Sequence, residues 1–346
     1  MPSPDLSEFH ELDEVAELRK INGDLQRRLK RAKAKTEDLV QATRDGARAA
    51  VMSAGPVPPV PAPKPDRRSK GVEVALWHLT DWQGHKVTTS YNGEVMRERV
   101  MRFVDRAERI TEIQRVDHPV KDCTIMFGGD MMEGLFNFPQ QPFEIDATIF
   151  GQWVNVSRLV VDVVRRALST YENVQVVSEF GNHGRIGDRR ATVPSSDNFD
   201  RMIYEHARAI LSDAVTDKLH PRLSWEDCPE DMQRVEIGNY RALLIHGDEV
   251  GRNGYASPMT MVGHVGKWQS GSYPWVFRDC YMGHYHTHAE WALANGQGAL
   301  YQTGAPESDN RYAKVTMASN ASPSQRLHFV DPDKGIVTCQ YKVHLS

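Results

Sequence analysis

From residue 72 onward, short unbroken runs of apolar, β-branched side chains alternate with stretches whose apolar positions recur every three or four residues. The first pattern marks a strand dry on both faces; the second marks a helix that buries one stripe. Residues 72–79, 123–127, 174–180 and 241–245 are therefore expected strands, and 93–114, 150–168 and 198–211 expected amphipathic helices. The stripe of 93–114 is Val95, Val100, Phe103, Val104, Ala107 and Ile110. After residue 245 the helical period fades, and 276–282, 289–294, 299–303 and 336–343 read as further strands. An α/β (α+β) body follows, with two sheets packed face to face and helices outside.

The flanking sequence is of another kind. Within residues 1–53, Val15, Leu18, Ile21, Leu25, Leu29 and Ala32 draw one apolar stripe down a charged helix. Such an arm has no core of its own. It is expected to pair with a second copy in a coiled-coil-like way or to dock on the body. Its basic cluster at Arg27, Arg28, Lys30, Arg31, Lys33 and Lys35 also suits nucleic-acid contact. Residues 54–70 form a proline-rich linker, in which the rings block helix and ladder hydrogen bonds. The body is expected to span 71–346. No internal repeat is evident.

Composition narrows the class. The 346 residues are 40% hydrophobic and 25% charged with a net charge of −4, as in ordinary globular proteins rather than ones that bind nucleic acid by overall charge. Cys123, Cys228, Cys280 and Cys339 are far apart and form no Cys-x-x-Cys pair, which argues against a disulfide framework or structural zinc. No apolar stretch resembles a signal peptide or reaches the roughly 18 residues of a membrane span. A cytosolic location is expected, the host cytosol if the chain is phage-encoded.

Five polar motifs each follow an apolar run: Asp81-Trp82-Gln83, Gly129-Asp130, Gly181-Asn182-His183, Ile245-His246-Gly247 and Gly283-His284-Tyr285-His286. Each should lie where a strand ends. Together they supply carboxylates, an amide and imidazoles, the set needed to hold two divalent cations side by side for phosphoryl displacement. Asp81 and Asp130 are the natural carboxylates. Asn182 offers an amide oxygen, and glycine beside it lets the backbone turn sharply. His183 then lies near the cations without coordinating one, placed to protonate a leaving alkoxide. In an extended stretch His284 and His286 would share a face; in a curled loop they would straddle the centre.

The series resembles the calcineurin-like metallophosphoesterase superfamily, whose motifs run D-x-H, G-D, G-N-H, H and G-H-x-H, over residues 72–301. The resemblance implies a four-layer αββα sandwich with the site at the strand ends between the sheets. It also implies that Asp81 and His286 bind one metal, Asn182, His246 and His284 the other, that Asp130 bridges them, and that His183 is the general acid. One position departs from the family: Gln83 stands where the motif has histidine. Its carbonyl oxygen is expected to ligate the first metal, with His85 as an alternative. Oxygen donors without a thiolate favour Mn²⁺, with Zn²⁺, Fe²⁺ and Mg²⁺ open.

Gly129-Asp130-Met131-Met132-Glu133 is similar to the motif of DNA double-strand-break repair nucleases and related phage-encoded enzymes, as is Gly304-Ala305-Pro306 with Arg311-Tyr312-Ala313. A nuclease needs cations for phosphates and flat groups for bases. Arg185, Arg189, Arg190, Arg252, Lys267, Trp268, Arg311, Tyr312 and Lys314 lie near the motifs. Residues 248–273 are expected to form a long substrate-facing insertion that accommodates short helices. The expectation is a two-metal phosphodiesterase that cleaves DNA through a metal-bridging hydroxide. The alternatives are a small-substrate phosphoesterase such as a cyclic-nucleotide phosphodiesterase, and a non-catalytic oligomeric scaffold with a degenerate metal site.

Overall fold

A computed structural model of the chain describes residues 59–135, 137–186, 197–213, 216, 218–225, 232–250, 256–293, 296–309 and 322–346, with positions 20, 22, 23, 26, 27 and 30 near the start. Those six positions are helical. The rest of the expected N-terminal arm lies outside the described residues.

The body opens with strand β1 (Glu73–Leu79), helix α1 (Gly93–Gln114), strand β2 (Val120–Gly128), helix α2 (Ile149–Thr170), strand β3 (Asn173–Glu179) and helix α3 (Phe199–Leu211). Short strands β4 (Leu223–Trp225), β5 (Gln233–Ile237) and β6 (Tyr240–Leu244) follow, then helix α4 (Pro258–Lys267). The chain closes with β7 (Asp279–Met282), β8 (Ala289–Ala292), β9 (Ala299–Gln302), β10 (Ser324–Asp331) and β11 (Ile336–His344). Side chains cap the helices where sequence places Asn, Thr or Ser: Asn92 accepts from Val95 N, Thr148 from Gly151 N, Asn198 from Asp200 N and Ser257 from Thr260 N.

Six strands form one sheet in the order β11-β10-β1-β2-β3-β4, and five form another in the order β5-β6-β7-β9-β8. Strands β1, β2, β3 and β4 run parallel, as do β6, β7 and β9. Alternation along β1 shows the layers. Ala75, Trp77 and Leu79 enter a core with Phe103 and Val104 of α1 and Val160 and Val164 of α2. Val74 and Leu76 point the other way and meet Ala242, Leu244, Tyr281 and Tyr301 of the second sheet. On that sheet's far face, Leu243, Cys280 and Leu300 pack on Met261 and Val265 of α4. This is the four-layer αββα sandwich that the resemblance implied.

Three features depart from expectation. Residues 248–273 supply α4, and its buried stripe makes it the outer layer of the second sheet rather than only a substrate-facing insertion. β10 gave no apolar signal because its buried positions include Ser324, Gln325, Arg326, His328 and Asp331. The described part of the linker lies on the body, where Val60 packs against the first core, Arg222 Nη2 donates to Val60 O at 3.4 Å and Asp66 N to Glu172 Oε1 at 2.8 Å.

Candidate metal centre

The carboxyl ends of parallel strands β1, β2 and β3 lie along one edge, and those of β6, β7 and β9 along the facing edge. Each motif begins one or two residues beyond such an end, so residues far apart in sequence converge between the sheets. The two edges are fastened directly. His284 N donates to both carboxylate oxygens of Asp81 at 3.0 Å, and His246 Nδ1 lies 2.8 Å from Gly128 O.

The turns are sharp. Asp81, Gln83, His85, Asp130, His284 and His286 all take positive φ, from 40° to 72°. Left-handed backbone at non-glycine residues costs about 1–3 kcal/mol each and concentrates at functional sites. His284 and His286 therefore do not share a face; they straddle the centre. Two glycines permit the close approach. A Cβ on Gly181 would lie 2.1 Å from Asp130 Oδ1, and one on Gly283 2.1 Å from Asp81 Oδ2.

Asp130, His246 and His284 each bring a ligand atom to within 4.8 Å of the others. His246 Nε2 lies 3.1 Å from Asp130 Oδ2, 3.2 Å from Asn182 Oδ1 and 3.3 Å from His284 Nδ1. Because His246 Nδ1 is committed to a backbone carbonyl, Nε2 is the nitrogen it can offer to a cation, which would take the place of the proton that Asp130 otherwise holds on it. Two imidazole nitrogens, a carboxylate oxygen and an amide oxygen thus converge. The donor set fits a divalent cation.

On the other side, His286 Nε2 lies 3.4 Å from Asp81 Oδ1, while His286 Nδ1 meets Glu307 Oε2 at 2.9 Å. Gln83, expected as an oxygen ligand, is oriented differently. Its Oε1 accepts from Lys86 Nζ at 2.8 Å, and its Nε2 lies 3.0 Å from His286 Nε2 and 3.5 Å from His183 Nε2. His85 cannot take its place, because its ring is held away by Asp146 and by Asn155 Nδ2 at 3.2 Å.

His183 N donates to Asp130 Oδ1 at 2.7 Å, and the ring's Nε2 stands 3.9 Å from Asp130 Oδ2. Glu133 Oε2 holds its Nδ1 at 3.2 Å, and Phe138 packs 4.9 Å away, centroid to centroid. Charges here shift one another. Burial disfavours the charged ring of His246, but Asp130, with Asp81 and Asp248, more than offsets it and raises the pKa well above the ordinary histidine value. His284, buried and next to His246, is held down at about 4. Burial would lower His286, but hydrogen bonds to Asp81 and Glu307 raise it to about 10.

Sequence reading overlooked several supports. Asp200, at the first turn of α3, is fully buried and accepts from Asp130 N at 2.8 Å, Met131 N at 3.0 Å and Gly181 N at 2.9 Å, tying two site loops to one carboxylate. Glu249 accepts from Gly247 N at 2.7 Å, and burial pushes its pKa up to about 7. Lys86 and Glu307 were also missed. The available signals were an acid in a helix's first turn and a glutamate directly after Gly304-Ala305-Pro306, neither distinctive alone.

Among the expected substrate contacts, Arg185 pairs with Asp248, two residues past His246 in sequence. Arg189, Arg190, Arg252, Arg311, Tyr312 and Lys314 lie outside the described residues. Trp268 is half-buried against the α4 core and packs on His264, 4.7 Å between centroids, so it is part of that layer rather than a free stacking platform.

No protein-family model matches the chain, and no curated protein sequence matches it. Solved structures overlap its course. They include Vps29 complexed with Zn²⁺ from Entamoeba histolytica, 11% identical with a TM-score of 0.34 over 79% of this chain and 99% of that one. A predicted phosphoesterase from Streptococcus pneumoniae is 9% identical, TM-score 0.29, over 78% and 98%. Purple acid phosphatase PPD1 from yellow lupin seeds is 11% identical, TM-score 0.32, over 82% and 55%. At this level of likeness no residue receives a role by superposition.

Proposed function

We propose that this chain is a metal-dependent phosphodiesterase whose substrate is DNA. The observation that supports it best is the meeting of Asp130, Asn182, His246 and His284 around one point, with Asp81 and His286 adjoining and His183 at the edge. In this reading Asn182, His246 and His284 would hold one cation, Asp81 and His286 the second, and Asp130 would serve both. Divalent cations held there, Mn²⁺ first among them, would supply a more acidic water and offset charge on the nonbridging phosphoryl oxygens. His183 gives its proton to the departing sugar oxygen, and Glu133 on Nδ1 keeps Nε2 turned toward the substrate. Asp200 holds the Asp130 and Asn182 loops in place while charge redistributes.

The polynucleotide substrate rests on the Gly129–Glu133 motif and on the arginines close to the site in sequence. A cleavage panel in Mn²⁺ with linear DNA, circular DNA, RNA and 2′,3′-cyclic nucleotides tests it. DNA cleavage is the expected result; cyclic-nucleotide hydrolysis with intact DNA would move the assignment to small substrates. His183→Ala is expected to retain cations and lose turnover by about 10²–10⁴-fold, whereas Asp130→Ala loses both. Less than one bound cation per chain after Mn²⁺ loading would favour the scaffold.

A further inference from the structure

We infer that Gln83 is a hydrogen-bond donor to a phosphoryl oxygen of the substrate, not a cation ligand, and that the buried Lys86 is the positioning residue that sets it so. The inference rests on the phosphodiesterase reading above and deepens it.

An ammonium only donates, so the Gln83 atom 2.8 Å from Lys86 Nζ must be the carbonyl oxygen. The amide nitrogen is then the atom that faces His286 and His183. Turning the amide over would set NH₂ against NH₃⁺, and an amide nitrogen offers no lone pair to a cation. Lys86 cannot swing aside. It is 7% exposed, its Nζ lies 3.0 Å from Glu307 Oε1 and 3.8 Å from Glu133 Oε2, and its backbone N donates to Gln83 O at 2.9 Å.

The same two carboxylates hold the rings that flank Gln83: Glu307 meets His286 Nδ1, and Glu133 meets His183 Nδ1. One buried ammonium therefore orders three groups, each touching an imidazole of the centre. A fixed N–H beside His183, where charge gathers on nonbridging oxygens, stabilises the transition state without reorganising. The cation position on this side is left to Asp81, Asp130 and His286.

The test uses the full chain, with Mn²⁺ titrated calorimetrically and orthophosphate then titrated into the Mn²⁺-loaded protein. Gln83→Ala is expected to bind Mn²⁺ within about twofold of the parent at every step, to bind orthophosphate about tenfold more weakly, and to raise KM for a phosphodiester by about the same factor. Loss of a Mn²⁺ equivalent, tenfold weaker Mn²⁺ binding, or unchanged orthophosphate binding would overturn the assignment. Gln83→Met, which fills the same space, reads the same quantities if the alanine variant unfolds. Lys86→Met is expected to weaken orthophosphate binding at least as much as Gln83→Ala does, and Lys86→Arg to keep it near the parent value; parental orthophosphate binding in Lys86→Met would remove the positioning role. A parent chain that binds no Mn²⁺ would instead sink the phosphodiesterase reading itself.

Discussion

Lys86 shows how strongly single side chains are committed here. It is buried between Glu133 and Glu307, and although burial lowers a lysine pKa, the two carboxylates raise this one above its ordinary value. Lys86→Met removes the cation shared by both acids and leaves each with only its histidine, so a loss of about 3 kcal/mol in urea unfolding is expected. His183 follows the same logic. Burial favours its neutral ring, but Glu133 and Asp130 outweigh that and raise its pKa. An acid acts only while protonated, so turnover of the cation-loaded enzyme should fall as pH climbs through the pKa that His183 has there. A pH–kcat profile checks this, and in His183→Ala that limb should vanish. Gly283→Ala would set a methyl 2.1 Å from Asp81 Oδ2; cation binding should fall at least tenfold, measured by calorimetry.

Pairs of elements carry their own balances. α2 meets α3 through Trp153 and His206, whose rings lie 4.7 Å apart. Burial first, then the charge of Arg158, hold the His206 pKa down at about 4, against 6.5 for a free ring. The neutral ring belongs to the folded state, so this contribution is complete above pH 6.5 and lost as pH falls toward 4. His206→Phe is expected to flatten stability across that window, as read by denaturant midpoints at stepped pH. β10 joins β1 by more than its ladder. Gln325 Oε1 accepts from Thr80 N at 2.7 Å and Nε2 donates to Thr80 O at 3.2 Å, a side chain that continues strand pairing one residue before Asp81.

Across the sandwich, the two sheets bury polar as well as apolar groups. Arg326 is 1% exposed and donates to Ala289 O and Gln302 O at 2.9 Å; His328, Tyr281 and Tyr240 then pass hydrogen bonds on to Asp279. The centre sits where that interface opens at the strand ends, so cations bound there would bridge both sheets. Mn²⁺ at about one hundred times its dissociation constant should stabilise the fold by about 2.7 kcal/mol, and a chelator should abolish the gain, both read from thermal melts. Periodicity and strand-end placement were enough to mark the helices 93–114, 150–168 and 198–211 and the strands that lead into the five motifs, and to put the eight side chains from Asp81 to His286 just past strand ends, because apolar pattern and turn chemistry are local. β10, α4's place as a layer, the grip of Asp200 on two loops and the orientation of Gln83 were decided only by folding. Each depends on a partner distant in sequence: an amide reads the same on paper whichever end it presents, and the ammonium that chooses between them is made decisive by the low-dielectric space that closes around it.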